Sequence, residues 1–324
     1  MTWTMPLTRG RSLIPGLCVL ACAQMSGAQP SNPVPSPSHE ATVLITATGA
    51  GQEPVVVRAE DLTLTEDGVP QHISRLQQVN DSAIIIAIII DISMSQERTL
   101  DAQKVAAKAF VNSILRPDRD LAAVATLTDT LYVEQQPTNN LDLVRAAIDR
   151  AKVAAPPGYQ GSTVVIAPQS QKTPPAPGTS AIWDAVKTTC QASRFSPSVS
   201  RRRGIILLTD GQDTASKTTL TEAAECAGRK DITIYSIGIG DSRYDGVNKS
   251  DLRKLSAETG GSAYFPKQPT DLSAEFDEIG KLLRNYYILN YSSASGKQLR
   301  KVRITLRNSN SRSVQLLYGR FVAQ

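Results

Sequence analysis

The stretch "AIIIAIIIDISMSQ", residues 83–96, decides how the rest of the chain is read. Eight aliphatic residues run without a break and stop at Asp91. Hydroxyls follow at Ser93 and Ser95. Polar residues do not alternate with the apolar ones, so a strand built from this run has both faces covered. That is the mark of a central strand in a parallel sheet. A membrane helix needs about 20 apolar residues, and this run is far shorter.

Working outward, helical and strand patterns alternate. Residues 99–115 predict a helix, with Ala102, Val105, Ala106 and Ala109 at helical spacing. Residues 121–135 read as strand, and 140–152 as a helix capped by Asn140. Residues 154–179 are rich in Pro, Gly, Ser and Gln and read as a long surface insertion. A helix over 180–192 leads to the strand "GIILLT", which ends at Asp210. Then come a helix (220–230), a buried strand (232–240), a helix stopped by glycines (249–261), a short strand (262–266) and a helix (271–285) capped by Thr270 or Asp271. Such alternation implies an α/β fold, a Rossmann-like doubly wound and mostly parallel sheet. The flanks, 41–80 and 286–324, are β-rich and expected to pair into one small accessory unit. The first carries an Asp67-Gly68 turn, and in the second Val302, Ile304 and Leu306 share one face.

The N-terminus reads as an export signal. Arg9 and Arg11 precede a short apolar run, and small residues at 26–28 suit cleavage near Ala28/Gln29. The expected organisation is a signal peptide (1–28), a Pro/Ser-rich spacer (29–40), the first flank (41–80), the α/β domain (81–285) and the second flank (286–324). The protein is expected to be periplasmic, cell-surface or secreted. "VLAC", residues 19–22, resembles a lipoprotein signal, so membrane attachment is expected only through a lipidated Cys22. In an oxidising compartment Cys190 and Cys226 either form a disulfide or stay as buried thiols.

Several function classes find no support. The net charge is +5, with no basic tract interleaved with aromatics, which argues against nucleic acid. The histidines, His39 and His72, precede the α/β region, and no Gly-x-Ser-x-Gly elbow occurs, so a serine hydrolase lacks its base. No phosphate-binding GxxxxGK[ST] loop is present, and no small-molecule substrate is indicated. The chain reads as a non-enzyme.

What remains is a constellation at strand ends. In doubly wound sheets ligands bind beyond the carboxyl ends of the strands, near the switch point. Asp91 and Asp210 each end a buried strand, and Ser93 and Ser95 follow at two-residue steps. Hard oxygen donors without a nearby His or Cys suit Mg²⁺, Mn²⁺ or Ca²⁺ and not a typical zinc site. Asp and Ser at strand–helix junctions also serve as helix caps, and spacing alone leaves both readings open.

Four stretches in order carry a resemblance. "DISMS" (91–95), "GTSAIWDAV" (178–186), "LLTDGQD" (207–213) and "LRKLSAETGGSAYFP" (252–266) resemble the von Willebrand factor A domain, over about residues 83–285. The flanks are similar to the related family described from acidobacteria. The resemblance implies a metal-ion-dependent adhesion site that binds a protein partner through its Asp or Glu. Carried over, Ser93 and Ser95 are direct ligands, and Asp91 and Asp210 bind the ion or orient its waters. Ser180 is the second-loop hydroxyl, with Thr179 as the alternative. Met94 stands where many relatives have glycine. The competing non-catalytic reading is an envelope scaffold whose metal site is vestigial.

Overall fold

The structure, a computed structural model, describes residues 38–49, 53–154, 179–192, 201–241, 246–267, 273–294, 299–307, 313–316 and 320–322. The expected signal peptide, Cys22, most of the spacer, the body of the 154–179 insertion and the caps Thr270 and Asp271 lie outside the described residues.

The chain starts with β1 (Ser38–Thr48), β2 (Leu62–Glu66), β3 (Val69–Gln71) and β4 (Ile73–Val79). β1 begins inside the stretch read as spacer, because its pairing with a late strand already starts at Ser38. The α/β part follows: β5 (Ala83–Asp91), α1 (Leu100–Ile114), β6 (Leu121–Leu127), β7 (Leu131–Thr138), α2 (Leu141–Arg150), α3 (Ile182–Gln191), β8 (Arg201–Thr209), α4 (Leu220–Gly228), β9 (Ile232–Gly238), α5 (Lys249–Glu258), β10 (Ala263–Tyr264) and α6 (Ser273–Arg284). The chain closes with β11 (Tyr286–Ala294), β12 (Leu299–Leu306), β13 (Ser313–Leu316) and β14 (Arg320–Val322).

Six strands form the central sheet in the order β10-β9-β8-β5-β6-β7. All neighbours are parallel except β6 and β7, which form an antiparallel edge. The stretch 121–135, read as one strand, is therefore a hairpin bent at Thr128–Thr130. β5 sits mid-sheet, and its residues feed two cores. Ile84, Ile86, Ile88 and Ile90 pack with α1, α2 and α6; Ile85, Ala87 and Ile89 pack with α3, α4 and α5. Helices on both faces are why this strand lacks alternation.

The face of α1 differs from the expected one. Its buried residues are Leu100, Gln103, Ala106, Ala107, Phe110, Val111 and Ile114. Of the four residues at helical spacing only Ala106 belongs to them, and Val105 is 50% exposed. Asn140 does cap α2, its side-chain oxygen accepting from the N–H groups of Asp142 and Leu143.

The flanks pair with each other. One four-stranded sheet has the order β13-β1-β11-β4 and another β14-β12-β2-β3. They share a core of Val43, Ile45, Leu62, Leu64, Tyr287, Leu289, Tyr291, Val302 and Ile304. Asp67 and Gly68 both have positive φ (50° and 85°), the backbone of the tight turn joining β2 to β3. Among the described residues no helix is long and apolar enough to cross a membrane. Cys190 and Cys226 are joined in a disulfide between α3 and α4.

Candidate metal centre

β5 and β8 are adjacent, with Ile90 level with Leu208, so Asp91 and Thr209 end their strands side by side. Here the connections diverge, α1 on one face and α3 and α4 on the other, which makes this edge the switch point.

The first loop follows Asp91. Asp91 Oδ1 accepts from the Ser93 N–H at 2.9 Å, turning the chain into a single 3₁₀ turn, Met94–Gln96. That turn brings Ser93 Oγ and Ser95 Oγ to 3.1 Å of each other. Met94 points elsewhere and packs against the apolar cluster that includes α1.

The third loop follows β8. Asp210 Oδ1 accepts from the Gln212 N–H at 2.9 Å, and Oδ2 accepts from Gln96 Nε2 at 2.6 Å. Gly211 makes the turn with φ +80°; a Cβ there would stand 2.8 Å from Leu252 Cγ. The second loop is held by the third. Ser180 N–H donates to Thr214 Oγ1 at 2.9 Å, and Ser180 C=O accepts from Thr214 N at 2.8 Å and Ala215 N at 3.0 Å. Asp213 Oδ1 takes the Ile182 N–H at 2.7 Å at the start of α3. So fixed, Ser180 Oγ donates to Asp91 Oδ2 at 3.2 Å. Thr179, one residue earlier, is half-buried.

The structure thus brings Asp91, Ser93, Ser95, Ser180 and Asp210 into one cluster. Four contributors went unread in the sequence. Thr209 Oγ1 donates to Asp91 Oδ2 at 2.6 Å, and strand register alone could have pointed to it. Asp213 and Thr214 set the second loop, and only the polar run after Asp210 hints at them. Gln96 bridges Asp210 and Ser95 from a position with no signal beyond its polarity.

The cluster is dry. Asp91 is 0% exposed and Asp210 2%. Burial first, and then the nearby Asp210 charge, push the Asp91 carboxyl up to about 6, against the pull of hydrogen bonds from Thr209 and Ser93. Burial also raises Asp210, opposed by bonds from Ser95, Gln212 and Gln96. Among the described residues no lysine or arginine is hydrogen-bonded to either carboxylate. Two buried like charges with no cation are costly, and a divalent ion relieves both. Among the described residues no three His, Cys, Asp or Glu side chains gather, so hydroxyls matter here as much as carboxylates. The donor set fits a hard cation.

The family model for the von Willebrand factor type A domain matches residues 86–279. The chain belongs to this family. Solved structures similar to it include a von Willebrand factor type A protein from Catenulispora acidiphila, 15% identical, with 89% of this chain and 73% of that chain covered and a TM-score of 0.48. Proximal thread matrix protein 1 from the mussel byssus, with a zinc-occupied MIDAS motif, is 20% identical over 68% of this chain and 50% of that chain, with a TM-score of 0.49. The manganese-loaded TRAP protein of Plasmodium vivax is 11% identical over 78% of this chain and 97% of that chain, with a TM-score of 0.46. Among curated protein sequences none matches the chain.

Proposed function

We propose that this von Willebrand factor type A protein is an exported, divalent-cation-dependent protein-binding module and not an enzyme. One observation carries the reading. Two buried carboxylates and three hydroxyls meet at the ends of β5 and β8, and among the described residues no lysine or arginine is bonded to either carboxylate.

Ser93, Ser95 and Ser180 would hold the ion through their hydroxyls, with Asp91 and Asp210 binding it directly or through water. When bound, the ion supplies a positive centre that can accept one more oxygen ligand. Three hydroxyls and two carboxylates give few charged donors, so an Asp or Glu of the partner protein completes the charge balance. Mg²⁺ is the proposed ion, with Mn²⁺ and Ca²⁺ sharing the same donor chemistry. His72 is exposed and lies between β3 and β4 of the flank, which leaves Ser93 without a base. Domains of this family generally serve as interaction modules.

Calorimetric titration of Mg²⁺, Mn²⁺ and Ca²⁺ into the wild type and Asp91→Ala tests the ion. Binding heat is expected only in the wild type, and its absence there would sink the reading. Capture of a partner from envelope extract, reversed by EDTA, tests the second half; capture that is indifferent to EDTA argues against it.

A further inference from the structure

Gln96 follows Ser95 directly and is 0% exposed. Its amide nitrogen donates to Asp210 Oδ2 at 2.6 Å and to Ser95 Oγ at 3.1 Å. Its carbonyl oxygen accepts from Thr99 Oγ1 at 2.7 Å and from Gln103 Nε2. Asp210 as a carboxylate only accepts, which fixes the amide's orientation. Both N–H groups and two acceptor positions are thus engaged, and turning this buried side chain would break all four bonds.

The grip from behind matters. Gln103 lies on the buried face of α1, among Ala106, Ala107 and Phe110, where an apolar residue would pack without cost. Its donation to Gln96 accounts for an amide at that position. The dipoles of Gln103 and Gln96 run head to tail with the positive end on Asp210, an arrangement in which each bond strengthens the next.

We propose that Gln96 is the positioning residue of the cation site: clamped by Thr99 and Gln103, it holds Asp210 and Ser95 in the arrangement the ion needs, and so sets cation affinity. This rests on the cation-dependent reading above. Asp210 sits on a loop, and besides Gln96 its carboxylate is held by the Gln212 N–H and by the Ser95 hydroxyl, which Gln96 itself bonds. Without Gln96, Oδ2 loses its 2.6 Å amide contact and is pushed outward by the Asp91 charge. Groups that orient metal ligands from outside typically change affinity ten- to a hundredfold when removed. The clamp also bears on which ion fits. Mg²⁺ demands near-ideal octahedral geometry, whereas Ca²⁺ tolerates a loose shell, so slackening Asp210 and Ser95 penalises Mg²⁺ more.

The test is calorimetric titration of MgCl₂ and CaCl₂ into the full chain, for wild type, Gln96→Met and Thr99→Val. Thermal midpoints in EDTA are recorded alongside. Met has the length of Gln without its donors. Gln96→Met is expected to weaken Mg²⁺ about ten- to a hundredfold and Ca²⁺ less, which narrows the Mg²⁺/Ca²⁺ ratio. Thr99→Val touches neither ligand and is expected to weaken Mg²⁺ severalfold. General loss of stability would not change the ratio between ions. A wild type without binding heat overturns the site and this proposal together. A wild type that binds, with Gln96→Met matching its affinity and ion ratio, overturns this proposal alone. If Gln96→Met does not fold, Thr99→Val decides: unchanged Mg²⁺ affinity there overturns the clamp.

Discussion

Asp91→Asn should stabilise the protein in the absence of metal while abolishing metal binding. Burial and the Asp210 charge raise the Asp91 carboxyl from 3.8 to about 6. That gap corresponds to roughly 3 kcal/mol by which the fold disfavours the charged form. Asparagine has the same shape and no charge. Its oxygen still accepts from Ser93 N–H, and its amide nitrogen donates toward Thr209 and Ser180, whose hydroxyls become acceptors. Thr209 Oγ1 already accepts from the Gly211 N–H, so its proton must find a new partner, an offset of about 1 kcal/mol. The net gain is about 2 kcal/mol, or about 4–8 °C in thermal midpoint for a domain of this size. The pH dependence supplies the control. The folded value lies above the unfolded one, so the wild type loses stability from this group as pH rises from about 4 to about 6, and above that the full cost is present. Thermal melts in EDTA should therefore separate the two proteins at pH 7.5 and bring them together near pH 4. Saturating Mg²⁺ should raise only the wild type, by about 2.7 kcal/mol at a hundredfold excess over Kd. An Asn variant no more stable than wild type at pH 7.5 in EDTA would refute the view that this carboxylate is held in the fold under electrostatic duress.

Other perturbations follow from the same geometry. Thr209→Val removes the donor to Asp91 and leaves the Gly211 N–H unpaired; a loss of about 1–3 kcal/mol in a thermal melt and weaker Mg²⁺ binding are expected. Gly211→Ala forces a side chain into a φ of +80° and to 2.8 Å from Leu252 Cγ, so denaturant titration should show a loss of about 2 kcal/mol or more. The Cys190–Cys226 bridge spans 36 residues, and the Cys190→Ala/Cys226→Ala double variant should lose about 2–4 kcal/mol, with dithiothreitol no longer lowering its thermal midpoint.

The strand at 83–91 was legible because burial on two faces leaves an unmistakable composition, and Asp91 and Asp210 because each directly ends such a strand. Ser180 came only from the resemblance of the second loop, with Thr179 as its alternative, because spacing alone does not say which hydroxyl of that loop turns toward Asp91. The face of α1 was not legible, for a physical reason: Gln103 occupies a core position to serve Gln96, and this polar residue hid the apolar stripe behind a misleading row of alanines. The hairpin within 121–138 was missed because Thr128–Thr130 turn without Gly or Pro. Gln96 itself could not be found from spacing, since its role depends on Asp210, 114 positions away. The run of three arginines, 201–203, is partly interior: Arg202 is buried and bonds the Asp231 carbonyl and Thr233 Oγ1.

The pairing of the flanks has a mechanical consequence. β4 leads into β5 and α6 leads into β11, and these connections are stitched by Ser82 N–H on the Arg284 carbonyl and by the Arg284 guanidinium on Asp120. β4 and β11 lie side by side, with Tyr286 opposite Val79. A load applied at the far ends of β5 and β8 therefore reaches the flank unit through two neighbouring strands pulled together. β11 is also zipped to β1 from Ser38 to Ile45, so that load is resisted by a ladder in shear, many bonds at once, and not by bonds opened one after another. A joint of this build resists being pulled apart by tension.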